Sequence, residues 1–217
     1  MEKNPQPRFL KMAEGVRFVK KLVLSLLEKK DVVFVAVGGG SCAGKSMFCK
    51  LLVNSIGFGK ILGMDSYYLG IEKINDFNFD RPDSLDLKLI EKHLKKLRDG
   101  KKIQKPVYDF TIHKRVGYET FEPDQVIIIE GLFALYPPIR KQMDVLVFLE
   151  ASEETRLKRR IERDVRERGR TVESVLKQFN ETVEPMHRLY VEPTKEGAII
   201  IENENNFNKM GISLKKS

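Results

Sequence analysis

One glycine-rich segment contains the residue types that bind phosphate groups. Residues 39–46 read G-G-S-C-A-G-K-S and match the pattern G-x-x-x-x-G-K-[S/T]. In such a loop, backbone N–H groups surround phosphates at a helix N-terminus, where the helix dipole favours anions. Lys45 would reach the β- and γ-phosphates of a nucleotide, and the Ser46 hydroxyl would bind Mg²⁺. The residues expected to contact the nucleotide are Gly39, Gly40, Ser41, Cys42, Ala43, Gly44, Lys45, Ser46 and Met47.

Two carboxylates follow apolar, strand-like segments. Asp65 comes directly after residues 61–64, and Glu130 comes directly after residues 126–129. At the carboxyl end of a parallel strand, such a residue lies on the ligand side of the sheet. Either carboxylate could help hold Mg²⁺ there, and Asp65 could also accept a proton from an attacking hydroxyl group. From its position alone, Asp65 is interpreted equally well as a turn residue or a helix cap.

A highly charged helix is expected between residues 153 and 170. Its basic residues are Arg156, Lys158, Arg159, Arg160, Arg163, Arg166, Arg168 and Arg170. Arg156, Arg160 and Arg163 share one helix face by their spacing. The run could be a solvated charged helix, a lid that brings guanidinium groups to a transferring phosphoryl group, or a nucleic-acid-binding patch. The phosphate loop in the same chain favours the lid.

Aromatic residues surround His113 in the segment 106–115, which reads P-V-Y-D-F-T-I-H-K-R. Aromatic and polar side chains on one loop suit a planar ring that is stacked and hydrogen-bonded, although a packed loop would look similar. His93 lies on an amphipathic helix and is expected at the surface. Cys42 and Cys49 are interpreted as small fillers in the loop and the core, in preference to a redox pair.

Composition limits the possible classes of protein. The chain has 217 residues, of which 41% are hydrophobic and 32% charged, as in ordinary globular domains. Its formal net charge of +8 and isoelectric point near 9.3 suit an anionic partner such as a phosphorylated ligand, nucleic acid or a membrane surface. The longest apolar run is far shorter than the roughly 20 residues of a membrane helix. Two cysteines exclude a disulfide framework and a four-cysteine zinc site. We therefore expect a soluble cytoplasmic protein.

The arrangement of apolar segments predicts an α/β fold. Strand-like runs occur at residues 32–37, 61–64, 126–129, 145–149 and 198–201. They alternate with helical segments, which predicts a P-loop NTPase-type parallel sheet with helices on both faces. We expect an amphipathic helix within residues 1–31 to pack on a domain formed by residues 32–217. Within that domain, residues 67–120 would form an irregular functional insertion and residues 153–170 the arginine-rich lid.

Across roughly residues 32–201, the chain resembles the uridine kinase (uridine/cytidine kinase) family of P-loop kinases. The matching segments are D-S-Y-Y at 65–68, N-F-D-R-P-D at 78–83, P-V-Y-D-F-T-I-H-K-R at 106–115, I-E-G at 129–131, the arginine-rich stretch at 156–170, Gln178 within V-L-K-Q-F at 175–179, and E-P-T-K at 192–195. The chain differs from the family pattern at Leu69, at 150–152 and at 197–199. The last two segments lie toward the phosphate donor, which leaves the choice between ATP and GTP open.

The resemblance implies a homotetrameric enzyme of pyrimidine salvage that uses ATP and Mg²⁺ to phosphorylate the 5′-hydroxyl of uridine, and by extension cytidine. Asp65 would be the catalytic base, and Ser46, Asp65 and Glu130 would surround Mg²⁺. The residues implied in the nucleoside pocket are Tyr68, Asp80, Tyr108, His113, Arg160 and Gln178. The residues implied to close over phosphate and substrate are Arg163, Arg168 and Arg170.

Two other hypotheses remain open from the residues. A related P-loop kinase could phosphorylate another hydroxyl acceptor such as a sugar phosphate, in which case Tyr108 and His113 would be dispensable. A nucleotide-dependent nucleic-acid-binding module would use the basic lid and the N-terminal helix. It would bind polynucleotides with a strong dependence on salt, which a kinase of small ligands need not show.

Overall fold

A six-stranded parallel sheet forms the centre of the protein. The computed structural model describes residues 9–204, apart from the Asn75 side chain. Its strands are β1 (Phe9–Lys11), β2 (Val33–Gly39), β3 (Lys60–Gly63), β4 (Ile103–Asp109), β5 (Lys114–Phe121), β6 (Val126–Glu130), β7 (Val145–Glu150) and β8 (Ile199–Glu202). The sheet order is β1-β8-β7-β2-β6-β3, and β4 pairs only with β5. The predicted α/β fold with a parallel sheet is confirmed.

The central strands are buried on both faces, which explains their composition. Every residue of β2 is buried, and so are the first four residues of β6, which read V-I-I-I. Continuous β-branched runs of this kind are typical of parallel strands covered on both sides. Because β2 lies between β7 and β6, the segment that follows β2 is at the middle of the carboxyl edge of the sheet.

Helices cover both faces of the sheet. They are α1 (Met12–Leu27), α2 (Lys45–Ile56), α3 (Leu87–Arg98), α4 (Pro137–Arg140), α5 (Glu153–Arg168), α6 (Val172–Gln178) and α7 (Glu184–Met186), and short helical turns continue from α6 to Lys195. One apolar cluster joins Leu94 of α3 to the sheet residue Ile129, and a second joins Val19 of α1 and Leu52 of α2 to Ile128. None of the helices within residues 9–204 is long and apolar enough to cross a bilayer.

The N-terminal segment extends the sheet as well as covering it. Strand β1, which the sequence analysis did not predict, pairs in parallel with β8. Helix α1 packs closely on the sheet through Gly15, where a Cβ atom would lie 2.6 Å from Cδ1 of the buried Ile201. Residues 1–8 and 205–217 of the predicted segments lie outside the described residues.

The insertion at residues 67–120 is more regular than predicted. It contains α3 and an antiparallel hairpin of β4 and β5, with a register shift between Val107 and Tyr108. The hairpin was missed because β5 alternates between exposed and partly exposed side chains, with no buried residue along its length. A strand of this kind lacks the apolar run that identified the buried strands.

Candidate active site

The phosphate loop connects β2 to α2 in a conformation that depends on positive φ angles. Gly39 has φ 132°, Gly44 has φ 100° and Cys42 has φ 62°. Lys45 folds back over the loop, where Nζ donates to the carbonyls of Gly39 at 3.0 Å and Gly40 at 2.9 Å. No side chain of the described residues caps the N-terminus of α2. The first N–H groups of α2 are therefore available to an anion.

The serine and the two carboxylates of the sequence motifs converge beside this loop. The Ser46 Oγ donates to Glu130 Oε1 at 2.7 Å. Glu130 ends β6 opposite Gly63, and Asp65 follows in a helical turn formed by Met64–Tyr67. Asp65 keeps an exposed surface, yet the surrounding protein raises its pKa, an effect that the charge of Lys45 opposes and that of Glu130 reinforces. The charges of Lys45 in the loop and of Glu130 at the end of β6 therefore both act on Asp65, which follows β3.

The charges of the neighbouring carboxylates also affect the pKa of Lys45. Burial lowers the pKa of the Lys45 ammonium, while the charges of Glu130 and Asp65 oppose that shift. Met47 lies two residues further on α2 and is 58% exposed. Of the predicted loop residues, Met47 and Ser46 are the exposed ones.

An aromatic cluster forms the other side of the site. The ring of Tyr68 lies 5.8 Å from that of Tyr108 and 5.5 Å from that of Phe79. Phe79 in turn lies 4.9 Å from the His113 ring, at an interplanar angle of 34°. The His113 Nδ1 is buried and has no hydrogen-bond partner among the described residues. The cluster therefore combines ring faces with an unused polar atom, the combination expected of a site for a planar polar ligand.

Asp80 interacts electrostatically with the aromatic cluster and with two cations. Burial raises its pKa, and the charges of Arg160 and Lys45 oppose the shift. The carboxylates of Asp65 and Asp80 also contribute to the raised pKa of the buried Tyr68. Asp65 and Asp80 are therefore both within electrostatic reach of Tyr68.

Helix α5 supplies guanidinium groups to the same site. Arg160 donates from Nη1 to Ser41 Oγ at 3.0 Å and from Nη2 to Gln178 Oε1 at 3.1 Å. Arg170 also donates to Gln178 Oε1. The charges of Arg168 and Arg163 oppose the rise in the pKa of Asp65, so both are within electrostatic reach of the predicted base. The structure thus brings together the predicted residues of the loop, the aromatic pocket and the lid.

Some residues singled out in the sequence have other surroundings. His93 is not at the surface as predicted, because it is only 6% exposed and its Nδ1 lies 2.9 Å from the Tyr67 hydroxyl. Arg156 is buried like Arg160 and packs against Gly40 of the phosphate loop, but its Nη2 donates to Glu184 Oε2 at 2.7 Å. The two cysteines are free thiols.

Two residues near the site were given no site role from the sequence, although Arg159 was named among the basic residues of the charged helix. Arg159 donates to the carbonyls of Cys42 at 3.3 Å and Asn203 at 2.8 Å. The Asn203 Nδ2 donates to the Ala43 carbonyl at 2.8 Å. Asn203 directly follows β8, and this position at a strand end was the one signal available for finding it.

A cavity of about 460 Å³ lies away from these residues, between the carboxyl ends of β7 and β8 and the helical turns after α6. Glutamates dominate its lining: Glu150, Glu153, Glu184, Glu192, Glu202 and Glu204. Such a surface repels the phosphates of a nucleotide. The phosphate loop and the residues that converge on it are therefore the better candidate for the active site.

Two solved structures with a similar fold are described as a kinase and as a possible kinase. A D-glycerate 3-kinase from Cryptococcus neoformans superposes with a TM-score of 0.63 at 18% identity, covering 86% of this chain and 95% of that one. A Bacillus stearothermophilus protein described as a possible uridine kinase gives a TM-score of 0.65 at 16% identity, covering 87% of this chain and 97% of that one. At these identities the likeness shows the fold alone.

Sequence relatives are closer. A uridine kinase of Clostridium perfringens is 39% identical over 194 residues, which cover 85% of this chain and 93% of that protein. Uridine-cytidine kinase A of Dictyostelium discoideum is 40% identical over 192 residues, which cover 85% of this chain and 38% of that protein. A model of the "Phosphoribulokinase / Uridine kinase family" matches residues 34–209. This match and the phosphate-loop site at the carboxyl edge of the parallel sheet show that the chain belongs to the phosphoribulokinase / uridine kinase family.

Proposed function

We propose that the protein transfers the γ-phosphoryl group of ATP to the 5′-hydroxyl of uridine, and also of cytidine. The observation that carries the proposal is the position of Asp65. Its carboxyl group is electrostatically coupled to Lys45 in the phosphate loop and to Tyr68 in the aromatic cluster. A base between a phosphate site and a ring-binding site suits transfer from a nucleotide to a nucleoside. The names of the relatives at 39% and 40% identity support the same substrate.

The reaction follows from the proposed roles. Asp65 accepts the proton of the 5′-hydroxyl while the oxygen attacks the γ-phosphorus, and the bond from that phosphorus to the β–γ bridging oxygen breaks to release ADP. The raised pKa of Asp65 favours this role, because a carboxyl group with a raised pKa accepts a proton more readily. Lys45 and the lid arginines Arg163, Arg168 and Arg170 neutralise the charge on the transferring group. Most of the catalysis would come from positioning and charge neutralisation.

The residues present fit a magnesium ion. Ser46 and Glu130 offer two oxygen ligands 2.7 Å apart, and Asp65 would contribute directly or through water. Within residues 9–204 no group of three or more His, Cys, Asp or Glu side chains could hold a metal by itself. This agrees with Mg²⁺, which is usually held by one or two carboxylates together with substrate phosphates and water. When bound, the ion would neutralise charge on the β- and γ-phosphate oxygens.

The nucleoside would bind in the aromatic cluster. Tyr108 and His113 would face the pyrimidine ring, and Tyr68 and Asp80 would face the ribose hydroxyls. Arg160 and Gln178 would close the pocket on the lid side. A carboxylate such as Asp80 accepts hydrogen bonds from neutral hydroxyls and would repel a phosphorylated sugar. This feature makes the sugar-phosphate alternative the weaker one.

The nucleic-acid alternative is also disfavoured. Arg160 is only 7% exposed and its guanidinium is engaged by Ser41 and Gln178, whereas a polynucleotide surface needs accessible cations. We extend the proposal to a role in pyrimidine salvage, to a cytoplasmic location and to a homotetramer. The salvage role and the homotetramer rest on the family resemblance, and the cytoplasmic location rests on the composition of the chain.

The test is phosphate transfer from ATP–Mg²⁺ to separate acceptors: uridine, cytidine, adenosine, ribulose 5-phosphate and pantothenate, with products identified by mass. We expect nucleoside 5′-monophosphates from the two pyrimidine nucleosides alone. Replacing ATP by GTP tests the donor in the same assay. Transfer to ribulose 5-phosphate but not to uridine would overturn the proposal in favour of the sugar-phosphate kinase.

A further inference from the structure

Four arginines of the predicted lid surround a single buried carboxylate. Asp164 of α5 has no exposed surface. Its Oδ1 accepts from Arg163, whose Nε and Nη2 both lie at 2.8 Å, and is 3.4 Å from Arg168 Nη1. Its Oδ2 lies 3.5 Å from Arg160 Nε and 3.6 Å from Arg170 Nη1. Four guanidinium groups from two turns of helix and the following loop therefore surround one side chain.

The backbone of Asp164 helps to bring these arginines back to the carboxylate. Its carbonyl accepts from the N–H of Gly169, which has φ 62° and ends α5. The same carbonyl accepts from the N–H of Arg170 at 3.1 Å. This left-handed turn reverses the chain, so that Arg168 before it and Arg170 after it both approach Asp164. The segment is folded around the aspartate.

One carboxylate offsets only part of the charge that surrounds it. Four guanidinium groups in one cluster repel each other, and without a central anion they would separate into solvent. With Asp164 the cluster keeps a formal charge of about +3. Arg160 reaches Ser41 of the phosphate loop from this cluster, and the charges of Arg163 and Arg168 act on Asp65.

We infer that Asp164 is a positioning residue, which holds Arg160, Arg163, Arg168 and Arg170 together so that their combined charge faces the transferring phosphoryl group. The inference rests on the proposed phosphoryl transfer, and Asp164 acts through the arginines without touching the nucleotide. Arg160, Arg168 and Arg170 lie 3.4–3.6 Å from its oxygens, beyond ordinary hydrogen-bond length. The exposed Arg168 therefore keeps N–H groups available to phosphate oxygens. Arg160 and Arg170 also donate to Gln178, so a phosphate would compete with that contact as well as with Asp164.

This arrangement predicts opposite effects on ligand affinity and on turnover. Asp164 competes with a bound phosphate for the same guanidinium groups. Neutralising Asp164 removes the competitor, so the arginines should bind a diphosphate more tightly. It also releases the arginines from their common geometry, so the transition state should be stabilised less well. A residue needed only for folding would lower both quantities together.

The experiment compares Asp164→Asn with Glu167→Gln. Glu167 is also on α5 and loses the same charge, but its pair with Arg166 is exposed. For Asp164→Asn we expect kcat for uridine to fall by about 10- to 100-fold. Binding of ADP–Mg²⁺, measured by calorimetry, should become tighter by roughly 2- to 5-fold at low salt. Glu167→Gln should change neither quantity by more than about twofold.

Weaker ADP binding in Asp164→Asn, or an unchanged kcat, would overturn the inference. If Asp164→Asn fails to fold, Asp164→Glu replaces it, because the longer side chain keeps the charge and displaces the arginines. That variant should bind ADP like the wild type and lose turnover, and wild-type turnover would contradict the inference. ADP binding needs no acceptor, so a wild-type protein inactive on uridine would refute the proposed function while the binding comparison still tests Asp164.

Discussion

The Nε of Arg115 donates a hydrogen bond to the backbone carbonyl of Tyr68 at 3.0 Å. The same guanidinium donates to the Tyr67 carbonyl at 2.8 Å and contacts Asp86 Oδ2 at 3.2 Å. Arg115 belongs to β5, whereas Tyr67 and Tyr68 follow β3. The Arg115 side chain therefore links two segments by hydrogen bonds. One is the hairpin that contains Tyr108 and His113, and the other contains Tyr68. The two walls of the aromatic cluster are fixed relative to each other by this contact.

Arg115→Met should loosen the nucleoside pocket without disturbing the phosphate loop. Methionine retains most of the apolar stem but removes the planar donor group that serves two carbonyls. We expect KM for uridine to rise by about 10-fold and KM for ATP to stay within about twofold, as measured by steady-state kinetics. Lys105→Met is the matched control, because it removes the Lys105–Glu119 ion pair at 2.6 Å within the same hairpin. Equal changes in both KM values would contradict the prediction.

Asp65→Asn should lower turnover and leave ATP binding nearly unchanged. Asparagine keeps the shape of the side chain but cannot accept the proton of the 5′-hydroxyl. Turnover should fall by roughly 10²- to 10⁴-fold, while calorimetry shows ATP bound nearly as in the wild type. Asp83→Asn serves as the control, since Asp83 forms an exposed pair with Arg81. Turnover close to that of the wild type would remove Asp65 from the role of base.

His113→Ala should weaken binding of the acceptor nucleoside and leave binding of ATP unchanged. The buried Nδ1 of His113 has no partner within the part of the chain that the structure describes, which suits a hydrogen bond to the pyrimidine. We expect KM for uridine to rise by about 10-fold or more, with KM for ATP little changed. Ile112→Ala is a suitable control, because Ile112 belongs to the same turn and is 53% exposed. If both substrates were affected equally, His113 would lie outside the pyrimidine site.

The sequence predicted the parts of the fold that have strong local signals. Residues 126–129 are apolar without interruption because β6 is covered on both faces, so burial and composition agree there. Strand β1 has three residues, of which the middle one alone is partly buried. It pairs with β8, which lies about 190 residues further along the chain. No local sequence pattern reveals a pairing between segments so far apart. Strand β5 pairs with its neighbour in sequence and was missed for another reason, namely that its side chains stay largely in solvent.

The candidate site was predictable where a motif fixes both residue type and position. Lys45, Ser46 and Glu130 belong to such motifs. Asp164 was not singled out, because its sequence neighbours are nearly all charged and a buried residue within them has no compositional signal. His93 was placed at the surface for a similar reason, since Lys92, Lys95 and Lys96 surround it in sequence. Burial of a polar residue depends on a distant partner, here the hydroxyl of Tyr67.

The stability of the protein should depend on the protonation of His187. This side chain is 8% exposed, and burial together with the charge of Arg156 lowers its pKa to about 4. An unfolded chain has the ordinary histidine pKa of about 6.5. Between these two values the unfolded state binds more protons than the folded state, so the free energy of unfolding must decrease as the pH is lowered.

His187→Gln should therefore flatten the pH dependence of stability. The variant loses the contact between Nε2 and Glu192 Oε2 at 3.2 Å and should be less stable than the wild type at pH 7.5. As the pH is lowered from 6.5 toward 4, the wild type should lose up to ~3 kcal/mol that the variant does not lose. Urea unfolding at pH 7.5, 6.5, 5.5 and 4.5 measures both slopes. We expect the difference in unfolding free energy between the wild type and the variant to narrow as the pH is lowered. If the two free energies fell in parallel with pH, protonation of His187 would not govern the acid sensitivity.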